Sequence, residues 1–340
     1  MLKKNKSNRV KLIANPGAGK VADAAKNLAL VIGNLEKFGI QADVALAKPK
    51  ERATPIAKQA IKDGYKTVVV MGGDGTIEAV MRGMMDSKAR LGIIPAGTEN
   101  NIALSLGIPE NLEEACALIA SNKSRKLDMG QVKTKNGKKY SFFEMVTVGL
   151  SAAVYPDAMK VVGGKFSGLR DAALTFIHQE IKPTVFLTLD DESKIEVETM
   201  LVVVSNTPVF GKNFLVAPNA SLQDGLLDIS VYPDFTKTEL IGYYAKVMDG
   251  GVSDNGKVQH YRARKLKVKS TPRLKILADG MELGKGTITV RMRPGALRVI
   301  TAEKRPGLAR LQKEAAKMTP APVPIVKQTI HHEKITAISK

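Results

Sequence analysis

Three glycines, a carboxylate and a hydroxyl in one run, Gly72-Gly73-Asp74-Gly75-Thr76, form the stretch of this chain best suited to holding an anion. Residues without Cβ let the backbone approach phosphate oxygens, and the free N–H groups and dipole of a helix starting there point at the charge. Asp74 would repel a bare phosphate, so its presence suggests a magnesium-bound nucleotide or an acceptor hydroxyl close by. A lone Gly-Gly-X-Gly is as easily a plain strand-to-helix turn. What favours a ligand is a second glycine loop, Pro95-Ala96-Gly97-Thr98-Glu99-Asn100-Asn101, at roughly the spacing of a βαβ unit. Later in the chain Asp224 and Asp228 flank Gly225, and Asp279 and Glu282 flank Gly280.

Both glycine loops need elements to aim them. Thr67–Val70 is a β-branched run too short and uniform for a helix and reads as a buried parallel strand. From Ile77 the period becomes helical, with Ile77, Val80, Met81 and Met84 on one face. Leu91–Ile94 is a second strand, and Ile102–Gly107 opens another apolar-periodic helix. Upstream, Val10–Ala14 reads as a strand running into Asn15-Pro16-Gly17-Ala18-Gly19, followed by a helix carrying Leu28, Val31, Ile32 and Leu35 and ended by Gly39. Ala42–Leu46 is a strand, and Thr54-Pro55 starts a helix with Thr54 as N-cap. Such alternation to about Ala120 predicts a parallel sheet with helices on both faces, its loops opening at one carboxyl edge where α/β sheets take ligands.

After Lys126 the texture changes. Leu127–Val132 and Tyr140–Val146 flank the Lys135-Asn136-Gly137-Lys138 turn, a hairpin signal. A helix over Leu169–Ile181 interrupts a series of short strands: Val185–Leu189, Ile195–Glu198, Leu201–Val204 and Leu227–Val231. The segment Leu266–Ile300 alternates apolar and polar residues. This predicts a mainly antiparallel β half with one solvated face. The expected organisation is a nucleotide-binding α/β domain over residues 1–128, a β-rich domain over 129–293, and a loosely ordered tail over 319–340. Of the carboxyl-terminal strand-like segments, Ala296–Ile300 is a candidate to rejoin the first domain.

Composition sets bounds. At 340 residues there is room for two cores, and 44% hydrophobic with 25% charged residues is ordinary for a soluble protein. A formal charge of +19 and a pI near 9.8 favour anionic partners. With aromatics at 5% and no Trp, nucleic acid is not expected; an anionic membrane surface fits better, where each Lys or Arg gains about 1 kcal/mol. The run Lys257–Lys275 has many bases and no acid, and is either the solvated face of a sheet or a patch for acidic lipid. A single cysteine, Cys116, excludes an internal disulfide and suits a reducing cytoplasm, most simply as a small buried thiol. The four His (178, 260, 331 and 332) offer no zinc spacing. No run approaches the ~20 apolar residues of a membrane span and no signal-type stretch follows the amino terminus, so membrane contact is expected to be peripheral.

The two glycine loops, with Asn15-Pro16-Gly17-Ala18-Gly19 before them and Pro218-Asn219-Ala220-Ser221-Leu222-Gln223-Asp224-Gly225-Leu226-Leu227-Asp228 after, resemble the diacylglycerol kinase catalytic-domain family, which includes bacterial lipid kinases and sphingoid-base kinases. The resemblance covers roughly residues 9–300, with the motifs in family order. It implies an NAD kinase/phosphofructokinase-like α/β domain plus an antiparallel β domain, with the final strand returning to the first and completing it over about 294–318. It also implies transfer of the γ-phosphate of Mg-ATP to a hydroxyl of diacylglycerol or a related lipid. Asn15, Gly72, Gly73, Asp74, Gly75, Thr76, Gly97, Thr98 and Asn100 match nucleotide-binding positions. Asp224 matches a structural magnesium site, for which the plain alternative is a turn residue. A homodimer is a further candidate partnership, which no motif specifies.

Two departures stand out. Asn101 replaces the family's usual Asp. The late Asp-Gly-Glu motif reads Asp279-Gly280-Met281-Glu282, and Met cannot take a proton. A one-residue shift in a strand moves Glu282 to the opposite face unless a bulge or turn re-aims it. Either Glu282 acts as base, or Asp74 does, or activity is weak; a loose phosphoryl-transfer transition state needs little from a base. The rivals are a non-catalytic lipid or nucleotide binder and an NAD-type kinase, the latter disfavoured by the Asp224 segment.

Overall fold

The computed structural model describes residues 8–302 other than 20, 151–181, 211–213, 218, 237–238, 241–242 and 244–255. The expected helix at 169–181 and the tail from 319 lie outside the described residues. From its amino end the chain alternates β1 (Arg9–Ala14), α1 (Ala24–Lys37), β2 (Gln41–Leu46), α2 (Ala53–Lys62), β3 (Thr67–Gly72), α3 (Asp74–Met84), β4 (Arg90–Pro95), α4 (Asn101–Ser105) and α5 (Leu112–Ser121). The strands lie parallel in the order β2-β1-β3-β4.

Period-two alternation sorts the β3 side chains to two faces. Val68 and Val70 pack with Ala57 and Ala60 of α2 and with Ile77, Val80, Met81 and Met84 of α3. Val69 and Met71 pack with Val31 and Leu35 of α1 and with Cys116 and Ile119 of α5. Cys116 is fully buried, and burial pushes its thiol up to about 11, so it behaves as a small apolar side chain. The helix boundaries follow local chemistry. Gly39, at φ +72°, ends α1, and the Asn111 side chain caps α5 by accepting from the N–H groups of Glu113 and Glu114. Thr54 is not the N-cap of α2. A 3-10 turn over Lys50–Arg52 starts the helix earlier, and the Thr54 hydroxyl donates across to the Ala79 carbonyl of α3 at 2.7 Å.

The second half comprises β5 (Ser124–Thr134), β6 (Lys139–Phe142), β7 (Met145–Gly149), β8 (Thr184–Leu189), β9 (Ser193–Ser205), the short pair β10 (Val209–Phe210) and β11 (Phe214–Leu215), then β12 (Leu227–Pro233), β13 (Gln259–Ala263), β14 (Lys265–Thr271), β15 (Lys275–Ala278), β16 (Met281–Lys285) and β17 (Ile288–Ile300). Pairing among these strands is antiparallel. Two sequence expectations need correcting. Ile195–Glu198 and Leu201–Val204 are one strand, β9, whose exposure pattern changes because its neighbours change. Its first part pairs with β8 and alternates, whereas its second part is buried between β7 and β12. Conversely, Tyr140–Val146 is two strands, interrupted at Phe143-Glu144.

β17 carries both halves. Ile288–Arg291 pair with β14, while Arg298 and Val299 lie parallel to Arg90 and Leu91 of β4. Along its whole length it pairs with β5, with a register shift between Arg293 and Leu297. Where β5 meets β6, Gly130 sits directly opposite Phe142, whose fully buried ring would lie 2.0 Å from a Cβ on Gly130. Gly130→Ala should therefore lower the urea midpoint by the equivalent of about 1–3 kcal/mol through overpacking.

Candidate active site

β1, β3 and β4 end level with one another, Ala14 beside Met71 and Gly72 beside Pro95, so the three following loops leave at one edge of the sheet. They touch. A Cβ on Gly97 would lie 2.5 Å from the Gly73 Cα, and one on Gly19 would lie 2.5 Å from the Ala96 carbonyl oxygen. The close approach of Gly73 and Gly97 explains two of the glycines by contact rather than by turn conformation.

Side chains lock this arrangement. The Asn15 amide donates to the Thr76 hydroxyl at 2.8 Å, while its oxygen accepts from the Gly17 N–H at 3.0 Å. Asn100, in the left-handed region at φ 55°, folds back on its own loop: its oxygen accepts from the Gly97 N–H at 2.8 Å. Asp74 crosses between loops, accepting from the Asn101 N–H at 3.0 Å and the Ile102 N–H at 2.9 Å at the start of α4. Burial pushes the Asp74 carboxyl above its ordinary value, while these two N–H groups pull the other way. Thr98 is exposed at the loop tip. The Lys50 ammonium, which sequence reading missed, lies over Gly75, 2.9 Å from where a Cβ would be.

A group of carboxylates sits one helical turn further in. Glu78 is at i+4 from Asp74 on α3, Glu144 lies in the break between β6 and β7, and Asp279 occupies the turn from β15 to β16. Their ligand oxygens all lie within 4.8 Å of one another. Asp279 also causes the β6–β7 break, since its carboxylate accepts from the N–H groups of Phe143, Glu144 and Met145 at 2.6, 3.0 and 3.0 Å. Burial raises Glu78 and Glu144 well above the usual carboxylate range and lifts Asp279 to about 6, and mutual repulsion adds to it for the two glutamates. A lone acid within Phe142-Phe143-Glu144-Met145-Val146, and a Glu four residues after Asp74, were the readable signals. Their meeting with Asp279 was not readable, because the three come from separate parts of the chain.

Asp279 and Gly280, at φ 42° and 73°, form a two-residue hairpin turn of the kind Asp-Gly favours. Met281 is 41% exposed, and Glu282 is exposed on β16 opposite Leu277. A bulge does occur here, but after Glu282, between the Leu277–Glu282 and Ile276–Gly284 pairs. Glu282 is not one of the three clustered carboxylates. Asp224 accepts from the Leu226 N–H at 3.0 Å and is ion-paired to Arg262, whose Nε also reaches Asp228 at 3.1 Å. A guanidinium thus already lies against both Asp224 and Asp228. The same Arg262 belongs to the acid-free run Lys257–Lys275, where folding also brings Glu239 to Lys257 at 2.6 Å and Asp191 to Lys265. Arg264, Lys267, Lys269 and Arg273 are exposed.

A parallel α/β half with meeting glycine loops, joined to an antiparallel half, is the fold shared by diacylglycerol kinases and NAD kinases. A crystal structure of a diacylglycerol kinase from Bacillus anthracis str. Sterne superposes with a TM-score of 0.67 at 22% identity, covering 87% of this chain and 97% of that one. Yeast NADH kinase in complex with NADH gives 0.53 at 12% identity, covering 92% and 89%. Sequence narrows the choice. Residues 9–132 match the diacylglycerol kinase catalytic domain, and residues 145–301 match the YegS C-terminal NAD kinase beta sandwich-like domain. A Pseudomonas aeruginosa protein named "Probable lipid kinase YegS-like" is 32% identical over 73% of this chain and 80% of its own length. A diacylglycerol kinase of Mycobacterium tuberculosis is 26% identical over 82% and 90%. The chain therefore belongs to the diacylglycerol kinase and YegS-like family of lipid kinases, a family of phosphotransferases.

Proposed function

We propose that this protein transfers the γ-phosphate of Mg-ATP to a hydroxyl of diacylglycerol or a related lipid. The observation that carries this reading is the contact of the Gly73 and Gly97 backbones beside Asp74, a cradle that any side chain at either position would fill. In this reading Gly72, Gly73, Gly75, Thr76, Gly97, Thr98 and Asn100 hold the nucleotide, Asn15 orients Thr76, and Lys50 adds positive charge beside the triphosphate. The donor set suits a magnesium-bound triphosphate: glycine backbone for phosphate oxygens, carboxylates for a hard cation. Asp74 keeps the two loops in register and faces the reacting groups. Glu282, exposed on β16, is the weaker candidate for a base. The nucleotide domain comprises residues 1–128 completed by the end of β17, and the cleft lies between it and the β half.

The test is incubation with labelled ATP and a panel of membrane lipids. Label in a diacylglycerol-type lipid is expected. Label in NAD instead would assign the NAD-type activity, and saturable ATP binding without turnover would assign the binder, the reading that Met281 favours.

Among the described residues no helix is long and apolar enough to cross a membrane. The lipid is reached, in this reading, by peripheral docking of the exposed basic residues Arg264, Lys267, Lys269 and Arg273 on an acidic surface. Vesicle sedimentation should rise with the fraction of acidic lipid and fall several-fold between low and physiological salt. Pelleting indifferent to both would remove the docking face.

A further inference from the structure

Glu78 and Glu144 are 8% and 4% exposed, and the Glu144 Oε1 has no hydrogen-bond partner. Glu144 belongs to the same cluster as Glu78 and Asp279, each offering one ligand oxygen within 4.8 Å of the other two. The nearest guanidinium, Arg82, approaches Glu78 Oε2 only to 3.6 Å, beyond hydrogen-bonding distance. Asp74 and Asp279 add negative field at Glu78, against which Arg82 and Lys50 act only at a distance. A buried carboxylate oxygen without a partner, as in Glu144, needs either a proton or a cation.

We propose that Glu78, Glu144 and Asp279 form a protein-held site for a hard divalent cation, separate from any ion carried in on nucleotide phosphates. Two oxygens on one ion are at most twice the metal–oxygen distance apart, about 4.8 Å for Ca2+ and about 4.2 Å for Mg2+. A spacing at that limit admits Ca2+ as it stands, and the smaller Mn2+ and Mg2+ after slight contraction. Asp279 is fixed by three backbone N–H groups, and Glu78 rides on the helix that begins at Asp74, so two of the ligands are held before a cation arrives. α3 supplies one ligand and the β half supplies the other two, so the site bridges the parts of the fold on either side of the glycine loops. With a cation in it, the floor behind Asp74 would attract phosphate instead of repelling it.

The test uses the full chain stripped with EDTA, with neither nucleotide nor lipid present, so that its failure is separable from failure of the kinase reading. Mn2+ alone should be taken up at about one ion per chain, read as loss of the free-ion EPR signal. Mn2+, Ca2+ or Mg2+ should raise the melting temperature. Glu144→Gln should weaken Mn2+ uptake by at least about tenfold, yet in EDTA melt at or above the wild-type temperature, because an unpartnered buried charge is gone. Glu78→Gln provides a second variant should the first fail to fold. Asp224→Ala, which removes the Arg262 ion pair and the acceptor for the Leu226 N–H, should leave the Glu144-dependent part of the uptake unchanged. No uptake by wild type, uptake undiminished in the glutamine variants, or loss confined to Asp224→Ala would each overturn the site. So would proton binding at neutral pH that divalent cations cannot displace.

Discussion

Asp74→Asn is expected to reduce ATP-dependent lipid phosphorylation by about 100-fold or more while leaving the protein folded. The carboxylate uses one oxygen for the Asn101 N–H and the other for the Ile102 N–H. Asparagine keeps only one acceptor, and its amide would present a donor to a donor, so the loop after β4 should shift against the loop after β3. The cost to stability is small because two effects oppose. A charge-assisted pair of hydrogen bonds is weakened, but the desolvation cost that burial places on the charged carboxylate, which holds it above its ordinary value, is removed. Initial rates with labelled ATP, alongside thermal melts, separate the two quantities. A variant that turns over like wild type would remove Asp74 from the catalytic machinery. A variant that melts as far down as its rate falls would make the residue structural.

Gly97→Ala is expected to do comparable damage by a different route. Its Cβ would meet the Gly73 Cα at 2.5 Å, the Asn100 Oδ1 at 2.9 Å and the Gly73 nitrogen at 3.3 Å. The first of these is backbone and cannot swing aside, so the two loops must part by roughly an ångström, a displacement that costs about 100-fold when it misplaces reacting groups. The loss should show in both the apparent affinity for ATP and the turnover number. Gly33→Ala is the control: on α1 nothing lies within 4 Å of the new methyl, so activity should stay intact and stability rise by about 0.5–1 kcal/mol. If Gly97→Ala turned over normally, the two loops would not be a shared nucleotide cradle.

These two positions also mark how far the sequence could be read. The elements that carry them were legible because their signals are local: β3 is an unbroken β-branched run, and α3 repeats its apolar residues with the period of the face it buries. The pairing of the glycine loops was legible through their spacing. What Asp74 holds was not, since an Asn101 N–H is invisible as a partner until β3 and β4 are laid side by side. β9 was misread as two strands because a switch from one solvated face to two buried ones looks, along a single chain, like an ending. The Asp279 turn is recognisable as Asp-Gly, but the sequence does not show which side chain of Asp279-Gly280-Met281-Glu282 points into the fold. The side chain that reaches inward belongs to the first residue of that motif, and its partners lie in the β6–β7 break. The ion pair of Asp224 with Arg262 is likewise invisible in the sequence, because the two residues lie far apart along the chain.

The shared strand β17 has a consequence for how the protein is made. Leu91 of β4 gains its neighbour Val299 only when the last described strand arrives, long after the ribosome has released everything needed for β1 to β4. Until then β4 shows the solvent an unpaired flank of amides and carbonyls. The nascent amino-terminal half thus waits, open along one side, for a segment synthesised some two hundred residues later, and a message truncated before Ala296 would yield a sticky, unfinished sheet in place of a smaller working part.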